Sequence, residues 1–268
     1  MNENIRHMMG NAFSNLRRSL KSFAAVLAVF WALSVFTSPA TASEFVVPTV
    51  DNILKILIRF GALNMGDDRI LDNYAKITEC KLYRHFYSDD FRWRDFRDAI
   101  RKSIKQNIGE YPTGIYYDAE LQLDRYDFKQ KIYKFREKSS LKGVDYFTFV
   151  VKDNKCGSEE VRLFPTEYRV VLDQPLLISG IPLSENDAKT LLKRMKDNKN
   201  DLLLIYARFN FQIVFVDRLS WNINNKNQET GPLHQSGNKK QARLDANLAS
   251  IDFFEDKAKT RLIYSYRP

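Results

Sequence analysis

Apolar residues recur at two different periods along this chain, and the change from one to the other near Gly109 divides it. Before that point the period is helical. "PTVDNILKILIRFGALN", from Pro48, reads as a helix with Pro near its first turn and an exit at Gly61 to Asn64. Ile53, Leu54, Ile56, Leu57, Ile58 and Phe60 cover most of its circumference and leave Asn52, Lys55 and Arg59 as a narrow polar stripe. A helix this apolar must be buried on more than one side. A second short helix is predicted over "DDRILDNYAKI". A third begins after Ser88, Asp89 and Asp90, whose hydroxyl and carboxylates suit a helix N-terminus.

The third helix carries "FRWRDFRDAIRKSIKQ", residues 91–106, rich in both cations and aromatic rings. At helical spacing Phe96, Ile100 and Ile104 form one stripe, joined by Trp93 and Ile108, which turns the aromatics inward. Arg94, Arg101 and Lys105 lie toward the opposite side. There they form a candidate surface for an anionic partner, with Asp98 placed to neutralise Arg94 and Lys102 in part. The plainer reading of the same three residues is a solvated exterior.

Beyond Gly109 the period falls to two. In "GIYYDAELQLDRYDF", Ile115, Tyr117, Ala119, Leu121 and Leu123 alternate with Tyr116, Asp118, Glu120 and Gln122, as in a strand wet on one face. "VDYFTFVV" and "YRVVLDQPLLISG" continue as strands. "SENDAKTLLKRMK" interrupts them with one helix, Ser184 and Asp187 being spaced as in a capping box. The clearest strand follows, with Leu203, Ile205, Ala207, Phe209, Phe211, Ile213 and Phe215 pointing one way and Tyr206, Arg208, Asn210 and Gln212 the other. Residues 221–241 read as a long mobile polar loop. "LASIDFF" and "TRLIYSY" close the chain as a hairpin through Glu255 to Lys259. Residues 98–125 and 187–218 share an order of Asp-Ala, basic helix, turn and long strand, which hints at a weak internal repeat. The expected fold class is α+β, with a helical part at 48–108 packed on a mainly antiparallel sheet at 112–268.

The first 42 residues stand apart from this pattern. Arg6, Arg17, Arg18 and Lys21 precede an uncharged apolar run from Phe23 to Phe36, and Ala40 and Ala42 stand three and one residues before a cut at Ser43. That is the plan of a secretory signal peptide, of the kind bacteria use, and the run is short for a membrane span. The expectation is a single domain at 43–268, secreted or periplasmic, with no transmembrane anchor once the leader is cleaved. Cleavage also changes the charge. The whole chain holds 42 Lys and Arg against 33 Asp and Glu, net +9; without the leader the balance is 38 against 32, net +6. This mild bias suits a protein or an anionic envelope component as partner and is no specific argument for nucleic acid, which a secreted address makes a still weaker expectation.

Only Cys80 and Cys156 are present, and an oxidising address makes a Cys80–Cys156 disulfide the expectation, worth about 4 kcal/mol on the chain-entropy model. Two buried thiols are the alternative. Outside the leader the histidines are His85 and His234, at no metal-binding spacing, so no metal or other cofactor is expected. GxSxG, GxGxxG and phosphate-loop patterns are all missing. The acids Asp67-Asp68, Asp89-Asp90 and Glu159-Glu160 are adjacent pairs suited to capping, and "DNKCGSEE" lacks the calcium-loop pattern. No catalytic residue is therefore named. The expected function is a non-catalytic binding or interaction module; the alternative is an envelope polysaccharide or peptide hydrolase using two facing carboxylates.

Overall fold

Capping chemistry starts the helices. Helix α1 (Val50–Arg59) begins at Thr49, whose hydroxyl accepts from the Asn52 amide at 3.3 Å, so Pro48 sits just outside the helix and not in its first turn. Asp67 caps α2 (Asp68–Thr78), accepting from the Arg69 amide at 2.9 Å. Asp89 caps α4 (Asp90–Asn107), accepting from the amides of Phe91 and Arg92. Between them "CKLYRHF" forms a further helix, α3 (Cys80–Phe86), too short and too evenly mixed for its periodicity to show. Ser184 opens α5 (Glu185–Asp197): its hydroxyl donates to the Asp187 carboxylate at 2.6 Å and accepts from the Asp187 amide at 3.2 Å. The structure, a computed structural model, describes residues 45–151, 164–197, 203–217 and 241–268. The leader, Cys156, His234, Glu159-Glu160 and all of the 221–241 loop except Gln241 lie outside them.

Among the described residues eight strands form one curled, half-barrel sheet: β1 (Gly114–Asp127), β2 (Ile132–Phe135), β3 (Tyr146–Val150), β4 (Glu167–Leu172), β5 (Gly180–Pro182), β6 (Leu204–Asp217), β7 (Gln241–Phe254) and β8 (Leu262–Tyr266). Their spatial order is β3-β4-β7-β6-β1-β2-β5, and β8 pairs with the C-terminal part of β7. Every pairing is antiparallel except β4 with β7. The α+β class with N-terminal helices and a mainly antiparallel sheet is thus what the chain adopts.

One sheet face is the core. Ile115, Tyr117, Ala119 and Leu121 of β1 and Ile205, Ala207, Phe209, Phe211 and Ile213 of β6 are buried, with the Phe147 ring of β3 at 4.8 Å from Phe209 and 4.9 Å from Phe211. Two helices touch opposite ends of the sheet. Val50 and Leu54 of α1 line, with Val151, Phe164, Pro165, Thr166 and Tyr168, a cavity of about 30 Å³ beside β3 and β4. At the other end the Tyr133 hydroxyl of β2 donates to the Ala188 carbonyl of α5. Among the described residues no helix is long and apolar enough to cross a membrane.

The structure departs from the sequence reading in four further places. "YRVVLDQPLLISG" is two strands, β4 and β5, because the chain bends after Leu172; the short β2 pairs with β5 so closely that a Cβ on Gly180 would lie 2.2 Å from the Tyr133 carbonyl oxygen. "LASIDFF" is the end of a strand that already starts at Gln241. A register shift between Ile213 and Phe215 breaks the β6 alternation, so Phe215 is 55% exposed while Val216 is buried. Within α4 the aromatics do not all turn inward: Trp93 is buried, Phe96 half-buried and Phe91 74% exposed, because Phe91 in the first turn lies off the Trp93–Ile100–Ile104 stripe. Cys80 is disulfide-bonded and no free cysteine occurs among the described residues; Cys156, the partner expected for it, lies outside them.

Candidate functional site

The other face of the sheet is polar, and pairing register lines its charges up. Asp118 of β1 is opposite Arg208 of β6, Arg208 is opposite Asp252 of β7, and Asp252 is opposite Ser265 of β8. Four side chains from four strands therefore make one row, at about 4.8 Å per strand. Flanking rows bring Tyr116 beside Asn210 and Ser250, and Glu120 beside Tyr206.

The row is knit together by directed contacts. Arg208 makes a two-pronged pair with Asp118, Nε to Oδ1 at 2.9 Å and Nη2 to Oδ2 at 3.1 Å, while its guanidinium lies 3.9 Å from the centre of the Tyr116 ring. Lys259 reaches back from the β7–β8 turn to put Nζ 3.1 Å from Asp118 Oδ2. That turn is held by Asp256, which accepts from the Thr260 and Arg261 amides, and Lys259 adopts φ 57°, a left-handed conformation uncommon outside glycine. Asp252 accepts from Asn210 at 3.2 Å, from Arg267 at 3.0 Å and from the Ser265 hydroxyl. Asn210 and Ser250, both buried, are themselves joined at 2.7 Å.

Electrostatics make the row rigid and charged. Burial pushes the Asp118 carboxyl up, but hydrogen bonds and charge from Arg208 and Lys259 outweigh it and hold the group below its ordinary value. The same pair pushes Arg208 further up. Burial, with Glu120 and Asp256 nearby, raises the Tyr206 phenol, so its hydroxyl keeps its proton. A carboxyl lowered in the folded state adds stability above its unfolded value and loses it as pH falls through the folded value. Acidification below the usual carboxylate range should therefore destabilise the parent more than Asp118→Asn. Denaturant midpoints measured across that range test this, and parallel acid limbs for the two proteins would overturn it.

The residues expected to face an anionic partner lie elsewhere, on α4, and do not act alike. Arg101 is drawn inward: it pairs with Asp68 and Asp98 and donates from Nε to the Met65 carbonyl. Arg94 is exposed beside Asp95 at 3.5 Å and over the Phe91 ring. Lys105 is exposed near the helix end. Arg97, which the helical wheel left unremarked, grips Asp72 with Nε at 2.6 Å and Nη2 at 2.5 Å, and Trp93 Nε1 donates to the same carboxylate at 3.1 Å. Each α4 arginine, Arg92 on Asp89 included, thus has a carboxylate from this chain. His85 is an exposed α3 residue in edge contact with Phe86. Among the described residues no group of three or more His, Cys, Asp or Glu is placed to hold a metal ion.

Sequence reasoning recognised Asp118 and Arg208 only as members of wet strand faces. The signal present in the sequence was two long alternating strands of matching polarity, which carries no register to make the two residues neighbours. Residues 67–194 match the family described as Domain of unknown function (DUF4852). That similarity runs from the cap of α2 into α5 and covers just under half the chain; of the row it includes Asp118 alone. No curated protein and no solved structure matches the chain.

Proposed function

We propose that the chain is an exported, non-catalytic binding protein that meets its partner through the polar face of the sheet. The observation that supports this is the state of the row's carboxylates. Asp118 lies under two cations and Asp252 under three donors, and Arg208 stands between them. A hydrolase working with two acids needs one of them to keep a proton and release it. Asp118 is shifted in the opposite direction, toward permanent charge. Such a pair is set up to hold a surface in one geometry, which favours contact over proton transfer. The leader pattern supports the exported address.

The test uses the purified protein with isolated envelope polysaccharide and with anionic lipid vesicles, scoring retention on each support and soluble products by mass spectrometry. Retention without products, weakened by Arg208→Lys, is the expected result. Products that vanish in Asp118→Asn or Asp252→Asn would establish the hydrolase instead. Salt-sensitive retention lost only in Arg94→Glu, Lys105→Glu would move the contact to α4. N-terminal sequencing of protein collected outside the cytoplasm should begin at Ser43.

A further inference from the structure

The hydrogen-bonding capacity left over along the row identifies a ligand class, and the argument rests on the binding reading above. A carboxylate offers about four acceptor sites. Asp118 receives three contacts, two from Arg208 and one from Lys259, and Asp252 also receives three, from Asn210, Ser265 and Arg267. Each keeps acceptor capacity. Between them Arg208 uses Nε and Nη2 on Asp118, and its Nη1 has no hydrogen-bond acceptor among the described residues. The row therefore alternates acceptor, donor, acceptor across neighbouring strands, with the donor lying over the Tyr116 ring.

Charge then narrows the occupant. Arg208, Lys259 and Arg267 are matched by Asp118, Asp252 and the exposed Glu120, so the patch is electrically balanced. Nucleic acid and anionic lipid both require an uncompensated positive surface. The core of a protein interface is depleted of charged residues, whereas here charged residues occupy the middle. An extended peptide that docks by adding a strand needs a free sheet edge. β6 and β7 are paired on both sides at this row, and the outer side of β1 is occupied by Val46 at Gly114 and Tyr116 and by Ser139 and Arg136 at Gln122, which leaves too short a stretch around Asp118 for a strand to add. A ligand that suits balanced, alternating donors and acceptors is one whose own groups both donate and accept, which is the property of hydroxyls.

We propose that the Asp118–Arg208–Asp252 row is a binding site for a neutral, hydroxyl-rich saccharide. Adjacent hydroxyls accept from Arg208 Nη1 and donate to the remaining acceptor sites of the two carboxylates, and the phenols of Tyr116 and Tyr206 border the site.

The test titrates the full chain with a panel of neutral oligosaccharides, malto-, cello- and chito-oligomers, beside oligogalacturonate as the charged counterpart, reading amide shifts by NMR and affinity by calorimetry. At least one neutral oligomer should bind at millimolar concentration or tighter, with little dependence on salt. It should shift amides within Tyr116–Glu120, Tyr206–Asn210 and Ser250–Asp252 while leaving those of 91–105 in place. Arg208→Lys, which keeps the charge but not the fork, should lose about tenfold in affinity. The shift map needs no variant, so a poorly folded Arg208→Lys does not blunt the test. Failure of every neutral oligomer to bind, tighter salt-dependent binding of oligogalacturonate, or shifts confined to another surface would each overturn the proposal. Soluble products released from the oligomers would count against the non-catalytic reading itself; a bound partner of another class on this face would overturn only the saccharide assignment.

Discussion

A chain ending at Asp197, which keeps the whole family-matching segment 67–194 but loses β6, β7 and β8, is expected not to fold cooperatively. The matched segment stops inside α5, yet the sheet does not stop there. In the order β3-β4-β7-β6-β1-β2-β5, the central pair β6 and β7 is what joins β3-β4 to β1-β2-β5. Without them the two remnants have no shared ladder. β1 would lose its partner from Gly114 to Gln122, leaving backbone N–H and C=O groups unpaired, and Ile115, Tyr117, Ala119 and Leu121 would lose the Phe209–Phe211 side of their core. A domain stabilised by about 5–15 kcal/mol has no reserve for a loss of that size. Thermal and urea unfolding followed by circular dichroism decide the matter. A sigmoidal transition with dispersed amide resonances in the shortened chain would show that the matched segment is a domain by itself.

Within the intact chain the largest single-residue effect is expected at Phe209. Its side chain is fully buried, with the Phe147 ring 4.8 Å away and the Phe211 ring stacked at 6.3 Å. Removing an aromatic ring from such a site leaves a cavity and costs about 3–5 kcal/mol. Phe91→Ala is the matched control. Phe91 is 74% exposed, and surface substitutions of this kind stay within about 0.5 kcal/mol. Denaturant midpoints at constant slope give both values. A Phe91→Ala penalty equal to that of Phe209→Ala would contradict the assignment of the two rings to surface and core.

What could be read from the residues alone were the features encoded over a few positions. Asp67, Asp89 and Ser184 make their capping bonds to amides two or three residues ahead, so their meaning is local. The Trp93, Ile100 and Ile104 stripe and the buried alternation of β1 follow from fixed periods of 3.6 and 2. Where a local rule was disturbed by something non-local, the reading failed. Phe215 looked like a core residue because strict alternation gives no sign of the register shift that turns it out. β2 and β5 are four and three residues long, too short to show a period before pairing makes them strands.

The candidate site belongs wholly to the second kind of information. Asp118 and Arg208 are 90 residues apart in sequence, and nothing near either one specifies the other. The amino-acid sequence by itself determined which face of each long strand is wet, because that depends on a period of two. Tertiary structure decided which wet residues are neighbours, because strand register is set by pairing, bulges and core packing across the whole sheet. Slipping β6 by one residue against β1 would turn Arg208 into the core and dissolve the row. The core rings Phe209 and Phe211, locked on Phe147, are what hold the register that brings Arg208 to Asp118.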